Sequence, residues 1–414
     1  MRQRRGVNLQ SIKWQNRGVV LETLWRQQPL ARKDLAARTH LTAATLTNIV
    51  TEFIDAGIVQ EVGPGEPGRG RRPTLLRFAA DSAFIIGVNL SRTSVDVGVF
   101  NMALDCLHLI THPVDVYQAQ PVPDTLADLI RQALVESAID VTHAAGIGVS
   151  GFGPLGAKDD VRPSPPSFAQ WNRLPLVDLL GKSFQLPVWI ENDANADALA
   201  ELWLGAGRSY SNFIYVVSHS GLGAGVILNG RLFKGSTGIA GELGHTSIDP
   251  YGPHCDCGNR GCVELYSNEP AIVRYVCDRF KAGRSTGLTQ SAGNQLEDLT
   301  LDRVINAALD GDDLAREAIV QACHALGLSL VSAVNLLDPE AIIIGHKLNR
   351  TGTMGLSVIR AVVQERAFPQ AASNLEILTG ELTEFVSVTG AACCALSGLF
   401  QEPHHLLAGS FSDL

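Results

Sequence analysis

Four side chains within eighteen residues carry the sharpest chemical signal in the sequence: His245, Cys255, Cys257 and Cys262, in "GHTSIDPYGPHCDCGNRGCVEL". Three of the eight cysteines of the chain fall in eight residues there. One imidazole and three thiolates match the four N and S ligands that zinc takes in a tetrahedron. The spacing C-x-C-x4-C is too tight for ordinary disulfides and suits a metal knuckle, with Gly258 and Gly261 supplying the turns. His254 is a rival ligand, but it adjoins Cys255 and stands outside the "GELGH" motif that ends at His245. With four protein ligands no place is left for an activated water, so the expected role of the metal is structural, not catalytic.

Several elements must bring those ligands together, and the chain is long enough to supply them. Its 414 residues, 45% hydrophobic, suit two or three globular domains with a large core. No apolar run reaches the length expected of a membrane span, so no membrane insertion is expected. The basic start "MRQRRGVNLQ" is followed by no apolar core or small-residue cleavage site, so no secretory signal is read and a cytoplasmic location is expected. In a reducing compartment a tight cysteine cluster points to metal before disulfide.

Charge divides the chain. Residues 1–77 hold 13 Lys/Arg against 6 Asp/Glu, a balance of +7, which leaves 20 against 36, or −16, for the rest. A basic head on an acidic body suggests that only the head meets a polyanion. In that head, "RGVVLETLWRQQP" and "RKDLAARTHL" read as two helices, and Thr42 can cap a third, "TAATLTNIVTEFIDAG", ended by Gly57. Leu46, Ile49, Val50, Phe53 and Ile54 recur at helical spacing and face inward; Thr45, Thr47 and Asn48 are left on a small, polar face without acids, suited to a major groove. "IVQEV" and "TLLRF" then flank "GPGEPGRGRRP", a hairpin whose tip carries Arg69, Arg71 and Arg72, suited to a minor groove. Residues 1–80 thus read as a winged helix-turn-helix that binds double-stranded DNA.

The body, residues 81–414, reads as α/β. "FIIGVNL", "SVDVGVF" and "CLHLITH" are three strands in quick succession, then a helix and the strand "GIGVS". "PVWI" runs into a helix at "ENDANADALAEL"; "FIYVVS" and "GAGVILNG" form a second cluster of strands. A long helix, "LAREAIVQACHALGLSLVSAVNLLD", leads to the strand "AIIIG", and a last helix starts near Val386.

The motifs "ENDANA", "SGLGAG", "GELGH", "CDCGNRGCVE" and "NLLDPEAIIIG", taken together, resemble those of the ROK family, which groups sugar-responsive repressors with bacterial sugar kinases. The resemblance covers nearly the whole chain. It implies the actin-like (ribonuclease H-like), two-lobed sugar-kinase fold behind the winged helix, and a homo-oligomer, dimer or tetramer. It places the family's metal ligands on His245, Cys255, Cys257 and Cys262. It implies that Glu242, His245 and Glu264 contact sugar hydroxyls, as carboxylates do through charge-assisted bonds, and that Asn192 and Asp193 stand at the sugar-binding and catalytic pair. Asp193 also suits a helix N-cap. Ser167 falls where the family has a sugar-contacting Asn, and Gln170 replaces a glycine, which implies an altered pocket.

The same resemblance argues against phosphoryl transfer. A glycine-rich turn admits ATP phosphates in the kinases; here Asn89 replaces the acid, Leu90-Ser91-Arg92 replaces the glycines, and His346 stands where another glycine is usual. The expected function is therefore a sugar- or sugar-phosphate-responsive transcriptional regulator, most simply a repressor of carbohydrate uptake or catabolism, with Asp193 a relic of the kinase base. A sugar kinase carrying an added DNA-binding head is the alternative, and a scaffold that binds another protein through the body is the third reading.

Overall fold

The computed structural model describes residues 9–64, 72–114, 122–153, 175–289 and 298–408. By their contacts they form two units. The first gathers the described residues of Met1–Gly156, Gln170–Asp193 and Ser387–Leu414; the second gathers those of Ala194–Val386.

The first unit opens with the head: α1 (Leu9–Gln27), β1 (Leu30–Ala31), α2 (Arg32–Thr39), α3 (Ala43–Asp55), β2 (Val59–Pro64) and β3 (Thr74–Phe78). The Thr42 side chain accepts from the Thr45 amide and starts α3 as expected. Leu46, Ile49, Val50 and Phe53 are buried beneath it, and Ile54 is half-buried. The three strands pair antiparallel in the order β1-β3-β2, so β2 and β3 are the wing. Helix α1 starts eight residues before the apolar pattern that reveals it, and in that extension Trp14 lies against the His404 ring.

The head is seated on the rest of its unit. Trp25 Nε1 donates to the Met102 carbonyl at 2.6 Å in a buried bond. A Cβ at Gly18 would overlap the Phe400 carbonyl oxygen, so only glycine lets α1 approach so closely. The Phe78 ring meets the Phe400 ring edge-on at 6.2 Å.

Beyond the head, β4 (Phe84–Leu90), β5 (Ser94–Asn101), β6 (Cys106–Pro113), β7 (Ala144–Gly151) and β8 (Val188–Asn192) form a sheet in the order β6-β5-β4-β7-β8. The β6-β5-β4 pairs are antiparallel and the β4-β7-β8 pairs parallel. Side chains alternate between faces. Phe84, Ile86, Val88 and Leu90 join Ile147 and Val149 on one face, in a core closed by α4 (Val122–Glu136) and α5 (Leu176–Phe184). The other face presents Gly87 and Gly148 to the helix Val386–Gln401, whose Val388 and Ala391 carbonyls lie where Cβ atoms would be. That helix is followed by a short one, His404–Ala408, that the sequence pattern did not reveal.

The second unit repeats the plan. Helix α6 (Asp193–Leu204) leads to β9 (Phe213–Ser218), β10 (Leu222–Leu228), β11 (Arg231–Leu232), α7 (Glu264–Ser267), α8 (Glu269–Lys281), α9 (Leu301–Leu309), α10 (Asp313–Leu337), β12 (Ala341–Ile344), α11 (His346–Asn349), α12 (Gly352–Arg366), α13 (Pro369–Asn374) and β13 (Glu376–Thr379). The sheet order is β11-β10-β9-β12-β13. One face buries Ile214, Val216, Ile342 and Ile344 with α9, α10 and α12; on the other, Gly225 admits Ala194 and Ala198 of α6. Helix α10 corrects one expectation. Its 25 residues are long and apolar enough to cross a membrane by length and composition. Here Ala318, Ala322, Leu326 and Leu330 of that helix lie buried in the core of the unit.

Candidate functional site

The four expected metal ligands converge in the second unit. His245 ends a 3-10 turn over Leu243–His245, and the following loop folds back through paired bridges, Ser247 with Cys262 and His254 with Arg260. Gly261 sits at φ +64° with its α-carbon against the Asp249 carbonyl, where any Cβ would collide, so the knuckle needs glycine there. The imidazole Nδ1 of His245 lies 3.7 Å from Cys255 Sγ, and Cys257 Sγ lies 3.6 Å from Cys262 Sγ. All four donor atoms fall within 4.8 Å of one another. A zinc–sulfur bond of about 2.3 Å sets tetrahedral sulfur–sulfur edges near 3.8 Å, so the donor set fits this metal. Burial pushes the Cys255 and Cys262 thiols up, and a bound cation is what holds such groups as thiolates.

Two carboxylates stand beside the cluster. His245 turns Nε2 toward Glu242 Oε2, 3.8 Å away, while Nδ1 faces the cysteines. Gly241 and Gly244 press on the Ala224 and Leu222 carbonyls of β10, which accounts for the glycine spacing of "GELGH". Glu264 Oε2 accepts the Leu222 amide at 3.0 Å, and Gly221 leaves room for it. Desolvation by the surrounding protein raises the Glu242 pKa; His245 works against the shift and the charge of Glu264 adds to it. Glu242, His245 and Glu264 thus form one group of hydrogen-bonding side chains held by the loop that carries the thiols.

Asn192 and Asp193 belong to the first unit, where β8 ends and α6 begins. Asn192 Nδ2 donates to the Gly153 carbonyl at 3.4 Å. Asp193 is the first residue of α6, and its charge is favourable at the amino end of the helix. Ser167 lies outside the described residues, as do Arg69 and Arg71.

On the head, Thr47 and Asn48 are exposed on α3 and Thr45 is half-buried. The Thr45 hydroxyl lies 2.9 Å from that of Thr42, and Thr47 donates to the Ala43 carbonyl at 2.7 Å. The Thr47 proton is therefore spent within the helix, and its lone pairs face outward for a donor. Arg72 is exposed just ahead of β3.

The sequence marked Asn89, Ser91, Arg92 and His346 only as replacements in the phosphate cradle; their partners are visible in the structure alone. In the tight β4–β5 turn, Ser91 Oγ lies 2.9 Å from Ser94 Oγ, and the Arg92 guanidinium sits 5.7 Å from the Phe152 ring centre. Asn89 Nδ2 donates to Asp96 Oδ2 at 3.0 Å, and Ser150 Oγ lies 3.0 Å from Asn89 Oδ1. In the second unit His346 Nε2 meets the fully buried Asp197 Oδ2 at 2.5 Å. An aspartate amid the alanines of α6 is the one signal that could have revealed that pair.

The family models agree with this architecture: the ROK family matches residues 85–397 and the MarR family residues 15–61. A curated relative, the xylose repressor of Caldicellulosiruptor bescii, is 30% identical over 395 residues, 95% of this chain and 98% of its own length. The glucokinase of Thermotoga maritima is 30% identical over 311 residues, 74% of this chain and 96% of the enzyme. A solved ROK family transcriptional regulator, a homologue of the Escherichia coli Mlc protein, superposes with a TM-score of 0.82 at 28% identity, covering 97% of this chain and all of the other. An actin-like sugar-kinase and repressor fold with a MarR-type winged helix ahead of it is what these likenesses share with the two repeated sheets, and the chain belongs to the ROK family.

Proposed function

We propose that this chain is a sugar-responsive transcriptional repressor, in which residues 1–80 hold operator DNA and residues 81–414 sense a sugar that changes that hold. The carrying observation is one chain that joins a winged head, with polar Thr47 and Asn48 outward on α3, to Glu242, His245 and Glu264 grouped on a metal-type knuckle. The likeness to a xylose repressor over nearly the full length supports it and makes D-xylose the first effector to try. In this reading Thr45, Thr47 and Asn48 read the major groove, and Arg69, Arg71 and Arg72 hold the wing on the minor groove. Ser167, Asn192, Asp193, Glu242, His245 and Glu264 contact the sugar. Zinc on His245, Cys255, Cys257 and Cys262 is structural and orders Glu242 and Glu264. Two copies pair to read a two-fold operator, in the cytoplasm.

A labelled duplex selected from a random pool, titrated with protein across a panel of pentoses, hexoses and their phosphates, tests this reading. A sugar that weakens binding about tenfold or more supports it, and Glu242→Ala must bind the duplex normally and ignore the sugar. A Glu242→Ala protein that responds like the parent sinks it.

The retained Asp193 favours a second reading, a ROK sugar kinase with a DNA-binding head. Against it stand side chains in places a phosphate cradle leaves to backbone: Ser91 and Arg92 in the first turn, and His346 bonded to Asp197. ADP release with ATP and magnesium across the same panel, lost in Asp193→Ala, would promote the kinase.

A further inference from the structure

Ser150 is fully buried at the end of β7 and has one hydroxyl proton. Two acceptors compete for it: Asn89 Oδ1 at 3.0 Å and the Ser387 carbonyl at 2.9 Å. The Asn89 amide is oriented by its own donation to Asp96 Oδ2, so it presents oxygen and not nitrogen to Ser150. One proton between two acceptors makes two arrangements, one bonding β7 to its neighbour strand β4 and one bonding β7 to the helix Val386–Gln401.

That helix links Ser387 to the head. Its sixteen residues span about 24 Å at 1.5 Å per residue. It rests backbone-to-backbone on Gly87 and Gly148, with Val388 of the helix beside Gly98 and the Trp189 ring against Gly398. At its far end the Phe400 carbonyl abuts Gly18 of α1 and the Phe400 ring abuts Phe78 of the wing strand β3. At its near end β7 closes at Gly151, paired with Asn192, and the Asn192 amide holds the Gly153 carbonyl.

We propose that Ser150 is a positioning residue, a two-place hydrogen-bond latch through which the residues around Asn192 set the position of the helix Val386–Gln401 and thereby the seat of the DNA-binding head. The inference rests on the sugar-responsive reading and adds its transmission route. Ligand at Asn192 shifts the end of β7, the Ser150 proton changes acceptor, and the helix carries the change to α1 and β3.

Four full-length proteins decide it: wild type, Ser150→Ala, Ser150→Thr and Asn89→Ala. The first arm uses no sugar. Amide hydrogen exchange across α1–α3 is expected to differ from wild type in Ser150→Ala and to return in Ser150→Thr, which keeps the hydroxyl; head exchange identical in wild type, Ser150→Ala and Asn89→Ala overturns the latch. The second arm measures affinity for the selected duplex with and without D-xylose, and D-xylose binding by calorimetry. The latch predicts unaltered sugar binding in Ser150→Ala and Asn89→Ala, while the sugar-induced change in duplex affinity falls from about tenfold to under about twofold. A wild-type-sized response in both variants also overturns it. If no sugar moves the wild-type affinity, the repressor reading fails, and the exchange arm still judges the latch.

Discussion

The two sheets have the same strand order, three antiparallel strands followed by two parallel ones, yet their glycine-backed helices are held in opposite ways. In the second unit α6 lies on Gly225 and is pinned by buried acids: Asp197 to His346, and Glu201 to the amides of Ala206 and Leu382 at 2.7 and 3.1 Å. In the first unit the helix Val386–Gln401 lies on Gly87 and Gly148, and the side-chain bond at its opening turn is one shared serine proton. Buried carboxyl groups hold one helix, and a neutral hydroxyl shared between two acceptors holds the opening turn of the other. In the proposed latch, that difference makes the first sheet the one that transmits.

The comparison can be broken at several points. The largest effect belongs to the knuckle of the second unit. Cys257→Ser should lower bound zinc from about one per chain to near none by elemental analysis, with a loss of several kcal/mol of stability and of the sugar response. Gly148→Ala comes next: its Cβ would strike the Ala391 carbonyl, and overpacking of that kind costs about 3 kcal/mol. Denaturant melts should show that loss, and Gly148→Ala should also disturb duplex binding, which Gly225→Ala in the second unit should not. Asp197→Ala strips the His346 bond and should cost about 2 kcal/mol, whereas Ser150→Ala should cost about 1 kcal/mol; equal losses would erase the contrast between pinned and latched helices. Arg72→Ala is the smallest, weakening duplex binding and reducing the salt slope by about one unit without changing the melt.

Legibility in the sequence followed the distance between partners. The Thr42 cap, the apolar row of α3 and the wing hairpin depend on neighbours a few residues apart, so their pattern shows in the chain. The His–Cys cluster was readable because His245 and Cys262 are seventeen positions apart and chemically rare. Asn89 was legible only as a missing acid, and its use became plain once Asp96 and Ser150 were seen beside it. Ser150 itself gave no signal, since its partners lie 61 and 237 positions away and a lone serine at a strand end resembles a solvated one. Asp197 and His346, 149 positions apart, were hidden for the same reason. The length of α10 was readable, but its place in a core depends on which strands lie over it.

The central claim, that sugar occupancy controls the grip on DNA, is tested most directly by the anisotropy of a labelled operator duplex titrated with the full-length protein in the presence and absence of D-xylose and the wider sugar panel. The account predicts that at least one sugar shifts the midpoint about tenfold or more toward higher protein concentration, and that Glu242→Ala abolishes the shift while its sugar-free midpoint stays put. Superimposable curves with every sugar would contradict it.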